Sequence, residues 1–132
     1  MDTIINTQLL DEITNQAKQS PRLRMNYNLH RSLDAKAQRL LNVLEPGTVI
    51  PIHRHRETDE TYILLRGKLL VEYYNDDKEI SDTITLDIAN GDFGMHVPAG
   101  QWHRVEALES GTTIFEVKDG PYQPSSDEDI LV

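Results

Sequence analysis

Hydrophobic and polar positions change period once along this chain, near residue 37. Before it, "NTQLLDEITNQAKQ" (6–19) repeats every four residues through Leu9, Ile13 and Ala17, which predicts a short amphipathic helix. Asn6 or Thr7 can cap it, Asp11 and Glu12 sit in its early turns, and Ser20-Pro21 ends it, because the residue before a proline is pushed out of helical geometry. "RLRMNYNLHRSLDAK" (22–36) has no clear period and reads as irregular or short-strand structure. From 37 onward the pattern is β. "AQRLLNVL", "TVIPIHRH", "TYILLRG", "LLVEYYN", "ISDTITLDI", "FGMHVP", "WHRVEAL" and "TIFEVK" are each strand-length and rich in β-branched or aromatic residues. Turn residues separate them at Pro46-Gly47, Gly67-Lys68, Asn75-Asp76-Asp77, Asn90-Gly91, Pro98-Ala99-Gly100 and Ser110-Gly111. About eight short, closely spaced strands predict an all-β sandwich or barrel.

With 132 residues the chain is expected to be a single domain. The N-terminal helix and arm (1–36) should pack on a β-barrel (37–122), and the polar, acidic tail (123–132) should be loosely held. No apolar run approaches a membrane span, and the first residues are acidic where a signal peptide is basic, so a cytoplasmic protein is expected. The chain has no cysteine, which removes disulfides, thiolate metal sites and cysteine nucleophiles together. Its net charge of −9 argues against nucleic-acid binding. That charge is uneven: residues 18–56 carry a balance of +6 and residues 57–132 a balance of −12. Either the surface averages this out in three dimensions, or the basic segment supplies cations to a pocket for an anionic ligand.

The chemistry concentrates in "GTVIPIHRHRETDETYILLRG" (47–67). Side chains alternate along a strand, so His53 and His55 project from one face about 7 Å apart, close enough to converge on one ion at about 2.1 Å each. Glu60 opens the next strand and offers an oxygen, and His103, heading the strand after Pro98-Ala99-Gly100, offers a third imidazole. Without cysteine, a metal here is bound by imidazole and oxygen. Tyr62 shares the strand parity of Glu60 and is a candidate acid or hydrogen-bond donor. Arg22, Arg24, Asn26, Asn28 and His30 suit carboxylate, phosphate or sugar hydroxyls, and His96 is a further pocket candidate. Trp102 reads as packing.

These residues carry a family resemblance. Gly47, His53, His55, Glu60 and Gly67 match all five positions of the first cupin motif, G-x5-H-x-H-x4-E-x6-G. Pro98, Gly100 and His103 match the second, in which the leading glycine (Gly91) comes one residue early and Ala107 replaces the closing Asn. Within the cupins the chain resembles the WbuC-like cupin-fold metalloproteins, through "RMNYNLH" (24–30), the "HRH" of the first motif, Trp102-His103, and "FEVKDGPY" (115–122). The resemblance implies a cupin double-stranded β-helix, or jelly-roll, barrel with a short N-terminal helix. It also implies a divalent metal on His53, His55, Glu60 and His103, and a setting in surface-polysaccharide synthesis. The ligand types suit Fe, Mn, Ni, Zn or Co without choosing among them.

Four protein ligands on a six-coordinate ion leave positions for substrate, which favours a metal-dependent isomerase, lyase or dioxygenase acting on a small anionic or sugar-like metabolite. A non-catalytic metal and ligand module, or a metal-free sugar-nucleotide epimerase or isomerase using histidine as base, are the alternatives. Open sheet edges suggest a homodimer.

Overall fold

The computed structural model describes residues 3–131. Helix α1 (Thr7–Gln19) is capped by Asn6, whose side chain accepts a hydrogen bond from the Leu9 N–H. Ten strands follow: β1 (Arg24–Asn28), β2 (Ala37–Leu44), β3 (Ile52–His53), β4 (Glu60–Arg66), β5 (Lys68–Tyr74), β6 (Ile80–Asp87), β7 (Gly94–Val97), β8 (Trp102–Ala107), β9 (Thr112–Asp119) and β10 (Ile130–Leu131). They form two antiparallel five-stranded sheets, ordered β1-β2-β9-β4-β7 and β10-β3-β8-β5-β6. This is the expected all-β jelly-roll arrangement with one short helix, but the sheets do not close into a barrel. Strands β1, β7, β10 and β6 remain edges. β3, which follows Pro51 with its missing N–H, is only two residues long.

Register assigns the faces of the first sheet. Leu44, Ile114 and Leu64 point inward and join Leu69, Val71, Leu86, Val97, Val105 and Ala107 in the core between the sheets. On the opposite face Leu41 and Val43, flanked by Met25, Tyr27, Leu65 and Phe115, receive Leu10, Ile13 and Ala17 of α1. The N-terminal segment is therefore part of the fold's main sheet as well as a cover for it, because β1 pairs along β2 from Arg24↔Leu44 to Asn28↔Leu40. Gly67, at φ +85°, sits where a β-carbon would lie 2.7 Å from the Thr112 backbone, so the β4–β5 turn needs glycine.

The C-terminal tail is docked, not loose. Ile130 and Leu131 pair with His53 and Ile52, and Asp129 is held by Arg54 and Arg56. The cause is the uneven charge: the acidic end of the chain folds back on cations of the basic segment.

Leu41 is fully buried beneath α1, on the face away from the inter-sheet space. Leu41→Ala should lower the unfolding free energy by about 2–5 kcal/mol in urea titrations.

Candidate metal centre

Three sequence-distant segments deliver the cluster. β3 and β8 pair at His53↔His103, and β4 begins at Glu60 on the facing sheet with its side chain turned inward beside Val97. His55 follows β3 by two residues. The donor atoms of His53, His55, Glu60 and His103 all lie within 4.8 Å of one another. The ring centroids of His53 are 4.4 Å from His103 and 5.2 Å from His55.

The proton arrangement decides what the cluster is suited to hold. His53 Nδ1 lies 2.9 Å from the Pro51 carbonyl and His103 Nδ1 lies 2.8 Å from that of Gln101. A carbonyl only accepts, so both Nδ1 atoms carry hydrogen and donate it. In the neutral rings the Nε2 lone pairs are then left for the cluster, an orientation typical of metal-ligating histidine. Burial first, and then the neighbouring His103, push the His53 imidazole down to about 4, so it is neutral at pH 7. Glu60 Oε1 lies 2.8 Å from His55 Nε2 and 3.3 Å from His103 Nε2, yet it is buried without a directed hydrogen bond. Burial raises the Glu60 carboxyl, and it is held below the usual carboxylate range only when a proton sits on Nε2 of His103 or His55 to be donated to it. With those lone pairs free, a metal cation takes the proton's place.

A buried carboxylate oxygen facing imidazole nitrogens is an arrangement completed by a cation. Donors about 2.1 Å from one ion stand about 3–4 Å apart, so closure around a metal needs the cluster to contract slightly. The cluster fits a divalent metal.

Tyr62 is buried with its hydroxyl 3.3 Å from His103 Nε2. Burial, then the charges of Glu60 and Glu116, raise its phenol well above the ordinary value, so it stays protonated.

Around the cluster the inner face turns polar. A cavity of about 300 Å³ is lined by Asn26, Asn28, His30, Gln38, Asn42, Glu116, Lys118 and the rim residue Tyr122, among others. Asn26 and Asn28 reach it because β1 carries them on the inward parity. His30 stands at its edge, with Nδ1 3.0 Å from the Arg39 carbonyl and Nε2 buried without a partner. Arg24 shares that parity, and its guanidinium is lowered by burial and by Arg22 while Glu116 acts the other way. Two candidates lie elsewhere. Arg22 is exposed in the turn after α1. His96 faces outward, because Val97 takes the inward position on β7; its ring contacts Thr61 Oγ1 at 2.9 Å and Asp59 Oδ2 at 3.2 Å.

Sequence reasoning missed Glu116. It lies beside Tyr62 in the β4–β9 ladder, one inward position from Lys118, which stands beside Glu60. Asn42 Nδ2 donates to its Oε1 at 2.9 Å. Burial, and then the charge of Glu60, push it up to about 7, against Asn42, Lys118 and His55. The available signal was parity: Thr112, Ile114, Glu116 and Lys118 share one face, and a carboxylate among them must point between the sheets.

Residues 5–86 match one family model, described as a domain of unknown function, DUF6016. The chain belongs to the DUF6016 family. No curated protein matches the chain. Among solved structures, KdgF from a Halomonas species is similar at TM-score 0.60 and 16% identity, over 79% of this chain and 84% of that one. A cupin superfamily protein from Desulfitobacterium hafniense gives TM-score 0.57 and 16% identity, over 73% and 76% of the two chains. A cupin-2 domain-containing protein from Shewanella frigidimarina gives 0.55 and 22%, over 73% and 80%. The DUF6016 chain thus has a cupin fold with a His/Glu cluster that fits a metal. Among the described residues no helix is long and apolar enough to cross a membrane.

Glu116 generates a pH prediction for the metal-free protein. Its folded value, about 7, lies above its ordinary 4.5, so the folded state holds a proton that the unfolded chain releases between those values. Its contribution to stability is full below pH 4.5 and is lost as pH rises to about 7. The stability difference between wild type and Glu116→Gln should therefore move against wild type across that window and flatten above it, as read from chemical denaturation at several pH values.

Proposed function

We propose that this chain is a metal-dependent enzyme acting on a small, oxygen-rich metabolite, with one divalent ion on His53, His55, Glu60 and His103. The observation that carries the reading is Glu60 Oε1, buried without a directed hydrogen bond and facing two imidazole nitrogens. An ion so held supplies Lewis acidity toward a substrate oxygen. The chain's own residues do the rest. His53 and His103 keep their lone pairs aimed through their backbone carbonyl bonds. Tyr62, protonated throughout, donates from the core side. Glu116 holds or takes a proton at its carboxyl near neutral pH, which is what a general acid–base needs and what a passive binding module does not. The ion is one of Fe, Mn, Ni, Zn or Co, since imidazole and carboxylate suit them all.

The polar cavity supports a sugar-like or anionic substrate, gripped by Arg24, Asn26, His30 and Asn42. The motif likeness to WbuC-like proteins supports a sugar or nucleotide-sugar derivative of surface-polysaccharide synthesis, in the cytoplasm. Isomerisation, elimination and dioxygenation are the reaction classes such a site serves. We also propose a homodimer: β1, β6 and β7 are open sheet edges, and Ile63 and Val117 are exposed on the outer face of β4 and β9.

Elemental analysis should find about one divalent metal per chain, and His53→Ala should lose most of it while keeping its β circular dichroism, since the core between the sheets is apolar. Absence of metal after reconstitution, or retention in His53→Ala, would refute the assignment. With that metal restored, a screen of sugar phosphates and nucleotide sugars should find turnover. Glu116→Gln should lower kcat by about 10²–10⁴-fold with metal content unchanged. Binding without turnover in wild type would make the protein a ligand module instead. Light scattering should give about twice the 15.1 kDa chain mass.

A further inference from the structure

The strongest cationic feature lies beside the cluster and is covered by the chain's own tail. Arg54 and Arg56 flank His55, and with Lys118 they line a second cavity of about 350 Å³, between residues 54–58 and 118–125. His55 stands in the same wall, and Lys118 and Tyr122 are shared with the first cavity. Three guanidinium nitrogens converge on one oxygen of Asp129. Arg54 Nε lies at 3.0 Å from Asp129 Oδ1, Arg56 Nε at 3.1 Å and Arg56 Nη2 at 3.0 Å. Arg54 is held in place from its other side, its guanidinium carbon 4.3 Å from the centroid of the Trp102 ring.

The covering segment is lightly attached. Residues 123–126 cross the cavity, a single turn (Asp127–Asp129) follows, and β10 adds two paired residues. Its other polar ties include Arg54 N–H to the Asp129 carbonyl at 3.0 Å, Asp129 N–H to the Ser126 carbonyl at 2.9 Å, Ser126 Oγ to Asp129 Oδ2 at 3.3 Å, and Arg56 Nη2 to Glu128 Oε2 at 3.5 Å. Arginine forks recognise a carboxylate or phosphate by just such convergent charged hydrogen bonds.

We propose that the Arg54–Arg56 pair is the site's anion seat, that Asp129 occupies it as an internal stand-in, and that a carboxylate- or phosphate-bearing ligand binds by displacing Asp129 and lifting β10. The inference rests on the metal-site reading for its function, because the seat matters to catalysis only if His55 beside it is a ligand. The seat itself is independent of the ion. It replaces Arg22 as a distal grip with cations that line a cavity next to the cluster.

The test uses metal-free full-length protein, titrated at constant ionic strength with inorganic phosphate and with glutarate, and followed by calorimetry. Trp102, the single tryptophan of the chain, reports on Arg54 by its fluorescence. Expected results are saturable binding of at least one anion, with a change in Trp102 emission and faster amide exchange at Ile130 and Leu131. Phosphate binding alone identifies a phosphate ligand, and glutarate binding alone identifies a carboxylate one. Arg56→Ala, at a half-exposed side chain where folding is not at stake, should weaken binding about tenfold or more. Asp129→Asn should tighten it about three- to tenfold, because the charged competitor is gone.

Absence of binding by either anion overturns the proposal. So does an Arg56→Ala affinity equal to wild type, or an Asp129→Asn variant that binds more weakly. His53→Ala separates the two readings: it should lose metal yet keep anion binding. Failure of wild type to take up metal on reconstitution would defeat the metal reading and leave the seat standing.

Discussion

One constraint organises this molecule: a buried carboxylate oxygen set against imidazole nitrogens, two of whose rings have their hydrogens committed to backbone carbonyls. Burying a carboxylate without a compensating charge is costly, so the arrangement is stable only if the surroundings are rigid or a cation completes it. Here both hold. The His53↔His103 pairing and the carbonyls of Pro51 and Gln101 hold two rings from behind. The facing sheet holds Glu60 from the other side. The two layers must therefore pack in one register, and the core residues below the cluster maintain it.

The same inner face grades from apolar to polar along its strands. Leu44, Ile114 and Leu64 belong to the closed end, while Asn42, Glu116, Lys118 and Glu60 stand at the open one. A β-ladder places these side chains on one surface at fixed intervals, so a polar cavity arises beside the cluster without any loop insertion. The field there is mixed: burial first and then the neighbouring Glu60 make Glu116 resist ionisation, and Lys118 tempers that effect. Charge tuning in this site follows from strand register.

The uneven charge of the chain resolves at a few contacts. Part of the basic segment meets the acidic half directly, with Asp129 on Arg54 and Arg56. Elsewhere Arg66 pairs with Asp11 at 2.7 Å, and Arg104 with Glu72 at 2.7 Å. The charges thus neutralise each other in part, and the Asp129 contacts do so beside the candidate site.

What the sequence determined by itself was everything governed by short-range periodicity. β2 begins and ends at the residues its alternation and turns predict, and α1 begins at the predicted cap. The spacing of His53, His55 and Glu60 was legible for the same reason, since it depends on strand parity and one turn. What only tertiary structure decided depends on partners distant in sequence. β3 shrank to two residues and the sheets stayed open, because strand length and closure are set by which neighbours can donate hydrogen bonds. The tail was read as loose because its composition is polar; its docking required Arg54 and Arg56, more than seventy positions away. His96 and Arg22 looked like site residues by type; strand parity turns His96 outward, and Arg22 sits in the exposed turn after α1. Glu116 had the parity of a site residue, but its raised proton affinity comes from burial and then from the charge of Glu60, neither of which a local pattern reveals.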